Sequence, residues 1–206
     1  MDAVLETYEA TDFTLWPVAD PPPGPLLTLS GRLSPREVGT VMAVLTSYNK
    51  GGHGRPDRDP EGGVEQLRRL VEAESVIAPG GLRIQDTVTD VTASPGCCFG
   101  LENWRDWLEL MTGEEPWLGH DPAPRIEHAG SLVRLWPDSD DPAGLPMEIP
   151  LSDLPVTLGS VRNDLRDFLT LVERWAADHA PTLAPALVAK LDESLAIGAP
   201  LRQAEG

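Results

Sequence analysis

The chain has 206 residues, and 33 acidic side chains against 16 lysines and arginines give it a formal net charge of −17. Because this charge repels nucleic acid backbones and anionic membranes at long range, we expect neither as a partner. Hydrophobic residues make up 41% and charged residues 24%, a globular balance that excludes an intrinsically disordered chain.

The compartment can be inferred from the first residues and from the cysteines. Residues 1–10 hold three carboxylates and neither Lys nor Arg, which is the opposite of a signal peptide. No apolar run approaches the roughly 18 residues that cross a bilayer. Cys97 and Cys98 are neighbours with no other cysteine to pair with, which favours a reducing compartment. We therefore expect a cytoplasmic protein.

The first 25 residues are acidic and rich in proline. Proline removes a backbone donor and fixes φ, so the stretch 16–25 is neither a helix nor a central strand. We interpret residues 1–25 as an arm with one short strand at 13–16. The clearest local signal follows at Ser34-Pro35-Arg36-Glu37, a capping box with proline at the first helical position, which predicts the start of a helix.

Hydrophobic periodicity and turn residues predict the other elements. The predicted helices span 34–48, 64–74, 101–111, 158–179 and 183–197. The predicted strands span 26–29, 75–78 and 82–92 around a turn at 79–81, a hairpin at 125–136 and a strand at 147–151. Segment 51–60 is predicted to be a loop.

Strands that cluster in hairpins, with helices between and after them, are typical of the α+β class. We predict a mainly antiparallel sheet of short hairpin strands with about five helices packed on it, including a long C-terminal helix. The predicted domain organisation is an arm at 1–25 and a single α+β domain at 26–206.

Cysteines and histidines provide one candidate site. Cys97 and Cys98 lie just ahead of the third predicted helix, whose N–H groups would lower a thiol pKa. With His120 or His128 as a base, they are the candidate catalytic residues of a cysteine–histidine enzyme. Neighbouring cysteines seldom ligate one ion together, and no C-x2-C or H-x3-H pair is present, so the sequence predicts no metal site and no cofactor. In the alternative interpretation, both cysteines pack as small apolar residues.

Aromatic residues among carboxylates provide a second candidate site. Aromatic side chains act as anchors in protein interfaces, and surrounding charges steer association, so this pattern indicates an interface for a basic protein. The predicted binding residues are Trp107, Glu114, Glu115, Trp117, His120 and Asp121. In the alternative interpretation, the tryptophans cap the edge of the core.

We therefore predict a non-enzymatic protein-binding module, most concretely an immunity-type antagonist of a basic protein. One alternative is an enzyme that uses Cys97 or Cys98, and another is an acidic DNA mimic or regulatory subunit. Two lysines against 14 arginines, with abundant Ala, Gly and Pro, are typical of a GC-rich bacterial genome.

Overall fold

The computed structural model describes residues 1–21, 23–50, 62–141 and 144–201, and the predicted loop at 51–60 lies outside them. It confirms the α+β class with antiparallel sheets. In chain order the strands are β1 Asp2–Glu6, β2 Leu26–Thr28, β3 Gly80–Gln85, β4 Thr92–Ala93, β5 Arg125–Ala129, β6 Leu132–Trp136 and β7 Met147–Pro150. The α-helices are α1 Pro35–Tyr48, α2 Gly63–Glu72, α3 Leu154–His179 and α4 Ala184–Ser194, and a long 3₁₀ helix spans Leu101–Thr112.

Strand β1 lies inside a four-stranded antiparallel sheet of order β2-β1-β3-β4. The interpretation of residues 1–25 as an arm is therefore corrected for residues 2–6, and residues 13–16 are not a strand. Ala3, Val4 and Leu5 are all buried, as is usual for a strand covered on both faces. This run lacks the alternation that marks an amphipathic strand, and it is too short to stand out in an acidic segment.

The proline-rich segment after β1 packs against helices. The indole Nε1 of buried Trp16 donates a hydrogen bond to the carbonyl oxygen of Gly39 in α1, at 2.8 Å. The Trp16 ring also meets the ring of Trp175 in α3 edge-on, with centroids 5.3 Å apart. A Cβ on Gly39 would overlap the carbonyl oxygen of Pro17, so a larger residue there would push this segment away from α1.

Gly80 and Gly81 are not the predicted hairpin turn but the first residues of β3. A Cβ on Gly80 would overlap the carbonyl oxygen of Val4, so this glycine allows β3 to lie close to β1. The turn lies instead at residues 86–91, and residues 75–78 are not a strand. The Asp86 carboxylate accepts from the backbone N–H of Val88 at 2.9 Å and stabilises that turn.

Strands β5, β6 and β7 form a second antiparallel sheet, whereas the sequence predicted a single sheet. The predicted hairpin is confirmed, with Gly130 in its turn at a φ of +69°. The strand predicted at 147–151 is confirmed as β7. Buried residues of both sheets belong to one continuous hydrophobic core.

Helix α1 begins where its local chemistry predicts, whereas α3 begins at Leu154, ahead of the predicted start at 158. Ser34 Oγ accepts from the Glu37 N–H at 3.3 Å, and Glu37 Oε2 accepts from the Ser34 N–H at 2.7 Å, which completes the capping box. Helix α3 has 26 residues and contacts α1, α4, β1 and the 3₁₀ helix. None of the helices in the described part of the chain combines the length and apolarity of a bilayer-spanning helix.

The third predicted helix is a 3₁₀ helix. It has about three residues per turn, so residues three apart lie on the same face. The residues buried along it are Leu101, Trp104, Trp107 and Leu110. Had this segment been the α-helix predicted from the sequence, its 3-4-3 spacing of apolar residues would have put Leu108 and Met111 on the buried face and Trp107 beside it. Trp107 is only 3% exposed, so it offers no contact surface to a partner.

Candidate functional site

Two loop segments, 96–98 and 119–122, cross in backbone contact. Cys97 and His120 form an antiparallel bridge: each backbone N–H donates to the other's carbonyl, at 3.2 Å for the His120 N–H. A Cβ on Gly96 would lie 2.8 Å from the carbonyl carbon of Gly119, and a Cβ on Gly119 would lie 2.7 Å from that of Gly96. Two glycines therefore permit the crossing, and it brings residues 97 and 120 together.

The crossing assembles a group that we call the thiol cluster: Cys97, Cys98 and His120. All three side chains are exposed, and their ligand atoms lie within 4.8 Å of one another. The two Sγ atoms are 3.4 Å apart, well beyond a disulfide bond, so both thiols are free. In a regular strand, the side chains of neighbouring residues point to opposite faces, so the two thiols would lie far apart. Cys98 instead has a left-handed backbone with a φ of +65°, and its thiol lies close to that of Cys97.

The imidazole of His120 is held by its neighbour. His120 Nδ1 lies 3.0 Å from Asp121 Oδ2, so Nε2 is the ring nitrogen left for another partner. His128, the other predicted base, is not part of the thiol cluster. It is half-buried, and its Nε2 lies 3.4 Å from the backbone oxygen of Glu114.

The pKa of the Cys97 thiol is raised, chiefly by its hydrogen bond with Cys98 and further by desolvation and by negative charges at Cys98 and Glu6. The expectation of a pKa lowered by the helix start is therefore wrong for Cys97, since the hydrogen bond with Cys98, desolvation and nearby negative charge together raise its pKa. A raised pKa keeps this thiol protonated at neutral pH, whereas a nucleophilic cysteine needs a thiolate.

Tyr48 and Glu6 interact electrostatically with the cysteines, and Glu102 interacts with Tyr48. Sequence reasoning missed all three residues. The pKa of Tyr48 is raised by desolvation and then by negative charges at Cys98, Glu6, Cys97 and Glu102. The pKa of the Glu6 carboxyl is itself raised by desolvation. Tyr48 ends α1, Glu6 ends β1, and Glu102 opens the 3₁₀ helix, so no local pattern could group them.

Trp117 lies three residues before His120 along the chain and is 58% exposed. Its ring meets that of Phe99 edge-on, with centroids 6.2 Å apart, and Phe99 is a buried residue next to Cys98. Glu114, Glu115, His120 and Asp121, the other predicted binding residues on this segment, are also exposed. Of the predicted binding set, only Trp107 is in the core.

The fold and site define an α+β protein in which two free thiols and an imidazole come together, near in sequence to an exposed tryptophan with acidic neighbours. No protein-family model, curated protein or solved structure matches this chain.

Proposed function

We propose that this chain is a non-enzymatic binding protein for a basic protein, most concretely an antagonist of the immunity type. The observation that carries the proposal is the exposure of Trp117. Trp104 and Trp175 are at most 3% exposed, and Trp136 is half-buried under Arg125, whose guanidinium carbon lies 3.4 Å from its ring centroid. Keeping an indole in water forgoes burial free energy, and tryptophan is enriched at binding hot spots.

The support beneath Trp117 suits an anchor. Its neighbours Pro116 and Leu118 are buried, and Phe99 packs against one edge of its ring. The crossing at Gly119 follows directly along the chain. An anchor that is already positioned loses less conformational entropy on binding than a mobile one.

The charges around Trp117 indicate the kind of partner. Glu114, Glu115 and Asp121 are exposed carboxylates, and the chain carries a net charge of −17. Such a surface attracts a basic protein and accelerates its diffusional encounter. The same charge supports the absence of a nucleic acid partner, and the free thiols support a cytoplasmic location.

Binding kinetics with a basic protein that co-purifies at low salt test the proposal. Trp117→Ala should speed dissociation, at a cost of about 2 kcal/mol or more in binding free energy. The double variant Glu114→Lys/Glu115→Lys should slow association and leave dissociation nearly unchanged, because exposed charges act mainly on encounter. Raising salt above about 0.15 M shortens the Debye length below roughly 8 Å and should remove the difference in association rate.

The matched control is Glu173→Lys/Asp178→Lys, which changes net charge equally at two exposed positions of α3. It should slow association less than the Glu114/Glu115 variant. Unchanged kinetics in both the Trp117 and the Glu114/Glu115 variants would show that the interface lies elsewhere. Failure to retain any basic protein at low salt would overturn the proposal.

A second candidate, the cysteine–histidine enzyme, is favoured by the assembly of Cys97, Cys98 and His120. The raised pKa of Cys97 counts against it. The rate of thiol alkylation across pH distinguishes the two, because an activated thiol reacts fast at neutral pH and a protonated one does not. The DNA-mimic or regulatory-subunit alternative rests on net charge alone.

A further inference from the structure

We propose that Cys97, Cys98 and His120 form a binding site for one thiophilic metal ion of the Zn²⁺ type. Thiolate and imidazole are the ligands that such ions prefer. Three protein ligands leave one position of a tetrahedral ion open, and the exposure of all three side chains gives water or another ligand access to it.

The spacing of the three groups fits one ion. Two thiolates bound to a tetrahedral Zn²⁺ at about 2.3 Å each stand about 3.8 Å apart. The two Sγ atoms are already 3.4 Å apart, and the imidazole ligand atom is within 4.8 Å of both. Small side-chain rotations therefore suffice to close the site around an ion.

The sequence predicted no metal site, because neighbouring cysteines seldom ligate one ion together and no C-x2-C or H-x3-H pair is present. The fold supplies what spacing could not. The backbone bridge between Cys97 and His120 places the imidazole next to both thiols. The glycines at 96 and 119 permit the close backbone contact of the two segments, and the bridge holds it, so His120 already lies next to the thiols when an ion arrives.

Asp121 has the position of an orienting residue. Histidines that ligate metals commonly donate their other ring N–H to a carboxylate, which fixes the tautomer and strengthens the ligand. His120 Nδ1 is 3.0 Å from Asp121 Oδ2, which leaves Nε2 for the ion. Negative charge at Glu6, close enough to act on Cys97, also favours a cation here.

The test uses the full chain, reduced and freed of metal, titrated with Zn²⁺ against a chromophoric chelator and with Co²⁺ alone. We expect one ion per chain and an ultraviolet thiolate-to-cobalt charge-transfer band. Cys97→Ser, Cys98→Ser and His120→Gln should each weaken Zn²⁺ binding at least tenfold, and the cysteine variants should also weaken the band. Asp121→Asn should weaken binding by about 10–100-fold if it orients the ligand.

His128→Gln is the matched control, because His128 is a histidine outside the thiol cluster, and it should bind Zn²⁺ as the unaltered chain does. Equal affinity in the unaltered chain and the Cys97→Ser/Cys98→Ser variant would overturn the site, as would equal affinity in His120→Gln and His128→Gln. Should the cysteine variants not fold, the comparison of the two histidine variants still decides. These measurements need no protein partner, so their result is independent of the proposed function.

Discussion

Trp104 and Trp107 are buried three residues apart on one face of the 3₁₀ helix, yet their indole N–H groups differ. Trp104 Nε1 donates to the carbonyl oxygen of Leu195 at 2.8 Å. Trp107 Nε1 is buried and has no acceptor among the described residues. A buried donor without an acceptor costs roughly 1–3 kcal/mol.

Replacing each tryptophan by phenylalanine should therefore have unequal effects on stability. Both changes remove a similar part of the ring, but Trp104→Phe also leaves the Leu195 carbonyl without its donor. Trp107→Phe instead removes a donor that has no acceptor. We expect Trp104→Phe to lower the free energy of unfolding more than Trp107→Phe by roughly 1–3 kcal/mol, measured by urea denaturation. An equal decrease in the free energy of unfolding in the two variants would show that the Trp107 N–H has a hydrogen-bond acceptor.

The residues of the candidate site could be predicted from the sequence, but their spatial arrangement could not. Residue chemistry alone singled out Cys97, Cys98, His120 and Asp121, because thiols, imidazoles and carboxylates are few and distinctive. Their mutual distances depend on a crossing between segments 96–98 and 119–122 that no local pattern encodes. The electrostatic interaction of Tyr48 with the cysteines was unpredictable for the same reason, since only the tertiary fold brings residue 48 within range of them.

Among the elements, α3 has the most continuous buried face. Leu165 and Phe168 in its middle are fully buried. We expect Leu165→Ala and Phe168→Ala each to lower the free energy of unfolding by about 2–5 kcal/mol, because each leaves a cavity in the core. Thr170→Ala, at an exposed position of the same helix, is the control and should change stability by less than about 0.5 kcal/mol. An unchanged denaturation midpoint in both core variants would contradict this packing.

Elements with strong local determinants were predicted correctly, and those set by tertiary contact were not. Helix α1 has its capping box, and the hairpin of β5 and β6 has a glycine turn, so both could be placed from the sequence. Strand β1 is defined by pairing with β2 and β3 on either side. The glycines at 80 and 81 resemble a turn, but the close approach of β1 requires them, and only the fold shows that.

The stability of the whole molecule depends on pH through carboxyl groups whose pKa changes on folding. The pKa of half-buried Asp106 is raised by desolvation. A raised folded-state pKa stabilises the fold below the ordinary carboxyl pKa of about 4, and this contribution is lost as pH rises through the folded-state value. Asp86 behaves oppositely: its hydrogen bond from Thr89, with those from nearby backbone, lowers its pKa. Its contribution is present above the ordinary pKa and is lost as pH falls through the folded-state value.

Two amide substitutions should therefore shift stability in opposite directions. At pH 7, Asp106→Asn should be more stable than the unaltered chain, because no desolvated charge remains, and the difference should shrink towards pH 4. Asp86→Asn should be less stable at pH 7, and its deficit should shrink as pH falls. Thermal unfolding from pH 7 to well below pH 4 measures both, because the Asp86→Asn deficit shrinks only below the ordinary carboxyl pKa of about 4. A gain at pH 7 in both variants would contradict the assignment to individual groups.

The position of β1 has a consequence for the order in which the sheet can form during synthesis. Val4 pairs with Thr28 on one side and with Gly81 on the other. At about 5–20 residues per second, a ribosome makes the second partner roughly 4–15 s after β1 itself, and until then that edge of β1 is open. Asp2 and Glu6 bracket the three apolar residues of this edge, and charges so placed discourage the pairing of open strands between chains. These two carboxylates would then protect the nascent chain at a time when the finished sheet does not yet exist.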